Sequence, residues 1–345
     1  MKAVILEKQE RLVLKEIDRP ICGANEVIVQ VKACNICKTD VKCTFTGQRD
    51  LKYPRVLGHE IAGVIAEVGN AVTDYAVGQR VHVHPGIACG ECFYCRNGLD
   101  NLCDHVKIMG FNYDGGFEEY LKIPAEGVRG GILNVIKNPT LAFNEISFIE
   151  PLACCINLQD QLDFSHHPVV IIIGGGRLGI LNQRVAKALG AQSVILIEAL
   201  EERRHTGLKH GFDAAFDPTS ETLREDILAL TDGMGADIII PCCSDARALE
   251  LALVLLRKQG QLGYFSGIIY DEKGGSDLNA IHYKEIHVTG SYGCGLKHSI
   301  RARELLESGA IDVKPLISST VTLENLEEGI QHVKNCDGYS TIVLL

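Results

Sequence analysis

Four cysteines lie close together, Cys89, Cys92, Cys95 and Cys103, in a C-x2-C-x2-C-x7-C run interrupted by Gly90, Asn97 and Gly98. Short C-x2-C steps let a single loop wrap one tetrahedral ion, and four thiolates leave that ion no open position. The spacing therefore predicts a structural zinc site. Two other readings of it are four unconnected buried thiols and an iron–sulfur cluster, although a cluster more often shows different spacing and a following proline. The chain carries 14 cysteines among 345 residues, a count that metal ligation or burial explains better than disulfides in a reducing compartment.

A second chemical signature is Gly174-Gly175-Gly176-Arg177-Leu178-Gly179, which follows the apolar run 169–173 and opens a helical pattern. In a G-x-G-x-x-G turn the first glycine makes the bend, the second lets backbone approach a pyrophosphate, and the third lets the helix pack on the strand. The diphosphate then meets the positive end of the helix. Gly174, Gly176, Arg177, Leu178 and Gly179 are thus expected to bind a dinucleotide. Glu198 closes the next strand, placed to accept both adenosine ribose hydroxyls and to repel a 2′-phosphate, which points to NAD. Arg203 and Arg204 follow closely; Arg203 is expected to contact the cofactor, and the pair keeps NADP open as the alternative.

Cys37-Lys38-Thr39-Asp40, Gly58-His59-Glu60 and Glu150-Pro151-Leu152 form a third set. Thiolate, imidazole and carboxylate around zinc leave one position open for an oxygen, the requirement of a catalytic centre. Taken singly, Cys37 reads as a buried thiol, His59 as a core histidine and Glu60 as a solvated charge.

These residues need elements to hold them. Residues 1–150 read as short β segments (2–6, 12–16, 27–33, 61–68 and 80–84) without helical periodicity between them, a compact barrel-like β domain. From residue 168 strand and helix signals alternate: strands at 168–173, 193–197, 236–240 and 261–265, helices at 180–189, 223–231 and 246–256. That alternation predicts an α/β region with a doubly wound parallel sheet. Helices at 299–308 and 323–334 and a strand at 340–345 follow, and there are no internal repeats. The net charge of −10, with no block of basic residues, argues against nucleic acid or an anionic membrane surface as partner. No apolar run approaches the roughly 18 residues of a membrane span, and Met1–Lys8 becomes charged too early for a signal peptide, so a cytoplasmic location is expected.

Together these motifs resemble the zinc-dependent medium-chain alcohol dehydrogenases, in particular the sorbitol and threonine dehydrogenase branch. The resemblance runs through G-H-E, the four-cysteine lobe, Gly115-Gly116-Phe117 with Glu119-Tyr120, E-P-L, the glycine turn and Ile342-Val343-Leu344. It implies a GroES-like β-barrel catalytic domain over 1–152 with a zinc lobe at 86–104, a Rossmann domain over 153–290, and a return to the catalytic domain over 291–345. It also implies two zinc ions per chain and association into a homodimer or homotetramer. Cys37 and His59 match the catalytic zinc ligands. Glu150 stands where many relatives have a third cysteine and the polyol branch has glutamate, while Glu60 resembles a carboxylate that enters the zinc shell when substrate leaves; either could be the third ligand. Asp40 matches the carboxylate that orients the zinc-bound histidine. Thr39 matches the hydroxyl that takes the proton from the alcohol, and Lys38 occupies a position that contacts the pyrophosphate in some relatives.

The resemblance implies hydride transfer between NAD and a secondary alcohol or ketone of a small hydroxylated substrate: a polyol, a cyclitol or a sugar-like molecule. The alternatives are a phosphorylated or carboxylated hydroxy substrate and an NAD-sensing relative without turnover. Three departures matter. Lys42 replaces the usual relay histidine, and lysine could serve only if burial lowered its pKa. Gly293-Cys294 follow Ser291-Tyr292 where sorbitol dehydrogenases have an Arg-Tyr pair, which disfavours sorbitol. Pro241-Cys242-Cys243 replaces an acidic-small-small turn. Residues 42–55 also hold four basic residues against one acid, which singles out Gln48 and Arg49 as expected substrate donors for an anionic or hydroxyl-rich ligand.

Overall fold

The computed structural model describes residues 1–267 and 278–345 and divides into two compact units, Met1–Ala153 with Cys294–Leu345, and Cys154–Gly293. Each is built around its own sheet system.

The first unit is a β-barrel domain whose central element is the strand Val27–Asn35, buried at nearly every position. One of its edges pairs antiparallel with Glu60–Val68. The other edge is shared, Val27–Gln30 pairing with Tyr120–Ile123 and Ala33–Asn35 with Thr341–Leu344. The chain's last strand therefore completes its first domain. Val29, Val31, Ile61, Ile65, Val81, Val83, Phe117 and Leu121 form the interior, each such side chain contributing about 1.5–3 kcal/mol by leaving water. The register Asn35↔Glu60 has a functional consequence. In an antiparallel pair it brings the residues just beyond each strand end, Cys37 on one side and His59 on the other, next to each other.

The second unit is a six-stranded parallel sheet among the described residues, in the order Ala214–Phe216, Ser193–Ile197, Val169–Ile173, Ala236–Pro241, Leu256–Tyr264, His287–Gly290. In chain order that is 3-2-1-4-5-6, the Rossmann arrangement, whose direction reverses beside the first strand. Val169–Ile173 is buried along its whole length, as a strand with helices on both faces must be. The helix Arg177–Ala188 starts three residues earlier than the apolar periodicity predicts, because Arg177 and Leu178 already turn helically after the glycines.

Among the elements absent from the sequence reading, two have a plain physical reason. Ile149–Gln159 is a helix despite Pro151, which sits in its first turn, where a missing N–H costs no intrahelical bond. The edge strand His287–Gly290 is short and mostly exposed, without an apolar run to announce it. No helix among the described residues is long and apolar enough to cross a membrane.

Candidate active site

The helix Lys38–Phe45 begins immediately after Cys37, and its third residue organises the site. Asp40, fully buried, accepts the Cys37 N–H at 2.9 Å on Oδ2 and the Gly58 N–H at 3.3 Å on Oδ1. One carboxylate thus ties together the two loops that carry Cys37 and His59. Asp40 Oδ1 also lies 3.4 Å from His59 Nδ1, in reach but too poorly aligned for a hydrogen bond, which leaves Nε2 as the ligand atom. The ligand atoms of Cys37, His59 and Glu60 all lie within 4.8 Å of one another. Burial pushes the His59 imidazole toward neutrality, yet Asp40 and Cys37 outweigh it and hold its pKa well above the ordinary range. The site draws positive charge. An S, N, O donor set, its nitrogen and oxygen buried and its sulfur half-buried, with a carboxylate behind the histidine fits a three-ligand zinc centre with one open position.

The Cys37 thiol donates to Thr39 Oγ1 at 3.5 Å; were the sulfur a thiolate, the hydroxyl would be the donor. Thr39 is half-buried, whereas Lys38 and Lys42 are exposed. Lys42 thus lacks the burial on which its service as a proton carrier depends.

The four-cysteine loop is a separate centre. Sulfur–sulfur distances are 3.5 Å for Cys92–Cys95, 3.5 Å for Cys103–Cys89 and 3.9 Å for Cys89–Cys95. Four sulfurs 2.3 Å from one tetrahedral ion stand about 3.8 Å apart, so the loop already has the dimensions of a zinc cage. Charge repulsion points the same way. Backbone N–H donors pull the Cys92 thiol down to about 6, while burial and neighbouring sulfurs push Cys95 up to about 12.

In the second unit Gly174 turns the chain at φ +104°, and a Cβ on Gly179 would come 1.9 Å from the Gly174 carbonyl oxygen. Both positions demand glycine. Glu198 Oε2 accepts the Gly175 N–H at 2.6 Å and Oε1 accepts the Leu200 N–H at 2.9 Å, so the carboxylate is fixed beside the glycine turn. Arg204 is engaged by the carbonyls of Glu198 and Ala199 and by Asp217 at 3.0 Å. Arg203 reaches back toward the turn, with a guanidinium nitrogen 3.9 Å from where a Cβ on Gly176 would stand. The Pro241-Cys242-Cys243 turn is bound into the same corner. Cys242 N–H donates to Ile173 O at 2.7 Å, and Asn182 Nδ2 donates to Cys242 Sγ at 3.3 Å.

Comparison with known proteins gives the family. The profile described as "Alcohol dehydrogenase GroES-like domain" matches residues 23–130, and that described as "Zinc-binding dehydrogenase" matches 178–308. L-threonine 3-dehydrogenase of Pyrococcus abyssi is 34% identical over 311 residues, covering 88% of this chain and 86% of its own. D-xylulose reductase A of Aspergillus oryzae is 31% identical over 338 residues, covering 94% of this chain and 92% of its own. The chain belongs to the zinc-dependent medium-chain alcohol dehydrogenase family. A zinc-binding dehydrogenase from Sinorhizobium meliloti, solved bound to NADP, superposes with a TM-score of 0.91 at 30% identity, covering 100% of this chain and 99% of that one. This dehydrogenase is accordingly a zinc-dependent oxidoreductase with a GroES-like domain and a Rossmann domain.

Two groups of sequence-predicted residues fall elsewhere than the trio. Glu150 is not among the atoms gathered by Cys37, His59 and Glu60; its carboxylate lies within 4.8 Å of Cys294 Sγ. Glu150 lies in the first turn of the helix that begins at Ile149. In the basic stretch, Arg55 pairs with Asp114 at 2.8 Å, and Arg49, 82% exposed, lies 3.4 Å from Asp50. Gln48 is half-buried.

Proposed function

We propose that this dehydrogenase oxidises a secondary alcohol of a neutral, hydroxyl-rich substrate of polyol or sugar type, with NAD as hydride acceptor and two zinc ions per chain. The observation that carries the reading is the gathered Cys37, His59, Glu60 trio with the buried Asp40 behind it. Zinc bound there supplies the Lewis acidity that lets a hydroxyl lose its proton near neutral pH. Thr39 receives and passes on that proton, its oxygen lying beside the Cys37 sulfur. Asp40 keeps the imidazole oriented, and the Cys89, Cys92, Cys95, Cys103 loop holds the second ion in a purely structural role.

Glu198 supports NAD. Its carboxylate is held in place by two backbone N–H groups, where a 2′-phosphate would meet its charge. Of the two nearby cations that could reward such a phosphate, Arg204 is occupied. The neutral character of the substrate follows from the pairing of Arg49 and Arg55 with carboxylates, which removes much of the local positive excess. A relative named for xylulose acts on a neutral, hydroxyl-rich carbon skeleton. A homodimer or homotetramer in the cytoplasm completes the reading. The strand His287–Gly290 is the edge of its sheet among the described residues, with Val288 48% exposed, and can pair with a second copy.

The test is the absorbance of NADH formed over a panel of polyols, cyclitols, sugar phosphates and sugar acids, with NADP run in parallel. Neutral polyols and NAD should give kcat/KM values at least about tenfold above the phosphorylated substrates and NADP, a difference of about 1.4 kcal/mol. Preference for sugar phosphates would overturn the substrate class, and preference for NADP the cofactor.

A further inference from the structure

At the opposite end of the parallel sheet from the glycine turn, the second unit has a cavity of about 170 Å³. Gly174 follows the carboxyl end of Val169–Ile173, whereas this cavity lies where Ala236–Pro241 and Leu256–Tyr264 begin. In a parallel sheet those are opposite edges, so the cavity is outside the dinucleotide crevice. Three cations line it, Arg224, Lys258 and Lys284, and no carboxylate does.

Lys284 is fixed in place. Its ammonium donates to the carbonyl oxygens of Leu253, Val254 and Leu256 at 2.8, 2.9 and 2.9 Å, closing the C-terminal end of the helix Ala246–Leu255. Burial and the neighbouring Arg224 charge push its pKa below the ordinary lysine value. Arg224 and Lys258 are exposed, and neither forms an ion pair with a carboxylate among the described residues. Like charges gathered without a counter-ion repel, and an anion between them removes that cost. The chain as a whole carries a net charge of −10, so this corner is opposite in sign to its surroundings.

The remaining wall is apolar. Ile227 and Leu228 come from the helix Leu223–Leu230, Met234 from the loop after it and Val254 from the helix Ala246–Leu255. Met234 is 65% exposed and Val254 53%, and the backbone holds Met234 where it stands. Its N–H donates to Thr231 O at 2.9 Å, and the Gly235 N–H donates to Thr231 Oγ1 at 3.0 Å. Gly235 has φ +96°, and a Cβ there would come 2.7 Å from the Leu255 carbonyl oxygen, so the loop sits tight against that helix. Apolar side chains fixed in water beside cations without carboxylate partners suit a ligand with one anionic end and one apolar end.

We propose that this cavity binds a small carboxylate with a short apolar chain, its carboxylate between Arg224 and Lys258 and its chain against Met234 and Val254. A guanidinium offers a carboxylate two parallel N–H donors, a match that a spherical anion lacks. The volume is well under the roughly 300–1,000 Å³ of sites for drug-sized ligands, so the ligand is small. The site does not depend on the substrate or cofactor proposed above.

Saturation-transfer difference NMR of butyrate with the purified holoenzyme tests it. The wild type should show saturable binding, with the strongest transfer to the methyl end of the chain. Arg224→Gln with Lys258→Gln should weaken that binding at least about tenfold, as loss of charge-assisted hydrogen bonds does. Met234→Asp, which sets a negative charge against the chain and leaves both cations in place, should abolish it. All three positions are exposed, and matching melting midpoints confirm that the variants are folded. Butan-1-ol, which lacks the charge, should show no saturable binding. Absence of saturable binding in the wild type, equal affinity in the double variant or in Met234→Asp, or tighter binding of inorganic phosphate than of butyrate overturns the site. Butyrate held in the active site instead would give equal affinity in every variant and so counts against it. No readout involves turnover, so failure here is distinct from failure of the proposed reaction.

Discussion

The four-cysteine loop and the Cys37, His59, Glu60 trio are both ligand sets in the same unit, yet they are built in opposite ways. The loop draws its donors from a short contiguous stretch, with only a four-residue helix, Phe93–Arg96, and a single 3-10 turn for support. Its apolar side chains Phe93, Leu99 and Leu102 are exposed, so burial does little to hold it. The trio is assembled by the barrel. The Asn35↔Glu60 register brings its segments together, and Asp40 binds both loops by backbone hydrogen bonds. A loop that lacks a core needs its ion to have a shape, whereas a site hung on a sheet has its shape before the ion arrives.

Substitutions should separate the two. The largest effect on turnover belongs to Cys37→Ser, which should abolish NADH formation while the melting midpoint stays within a few degrees of wild type. Cys95→Ser should do the reverse on stability, removing about 4 kcal/mol if the ion is bound a thousandfold above its Kd, as a calorimetric shift in the first unit would register. Equal destabilisation by the two variants would erase the distinction. Asp40→Asn should weaken zinc retention at the trio by about 10–100-fold and leave the four-cysteine ion in place, measurable by competition with a chelator.

Smaller effects sharpen the picture away from the metals. Glu198→Ser with Ala199→Arg should move the ratio of kcat/KM values toward NADP by at least about tenfold. Arg49→Ala should change KM for a neutral polyol by less than about threefold, since an exposed arginine beside Asp50 contributes little. A tenfold rise in KM would return Arg49 to the substrate site and reopen the anionic substrate class.

How legible each part was in the sequence follows the same contrast. The glycine turn and the four cysteines were readable because their chemistry is local: Gly179 must be glycine to clear the Gly174 carbonyl, and the thiols sit at chelating intervals. The parallel sheet was readable because strands buried on both faces, such as Val169–Ile173, are uniformly apolar. Glu150 belonged to a motif, but no spacing rule says which way the helix Ile149–Gln159 aims it. Lys42 could be named as a departure from the family, but its exposure is a property of the helix face it occupies. The paired state of Arg55 depends on Asp114, 59 residues away.

One ion shapes its loop, while the other finds its site already shaped. Amide hydrogen exchange across residues 37–60 and 89–103, before and after a chelator has removed all metal, tests it most directly. Amides of the four-cysteine loop, among them Cys89, Cys92 and Cys103, should lose most of their protection. The Cys37 and Gly58 amides bonded to Asp40 should keep theirs. Comparable loss of protection in both stretches, or a four-cysteine loop as protected without metal as with it, would contradict the account.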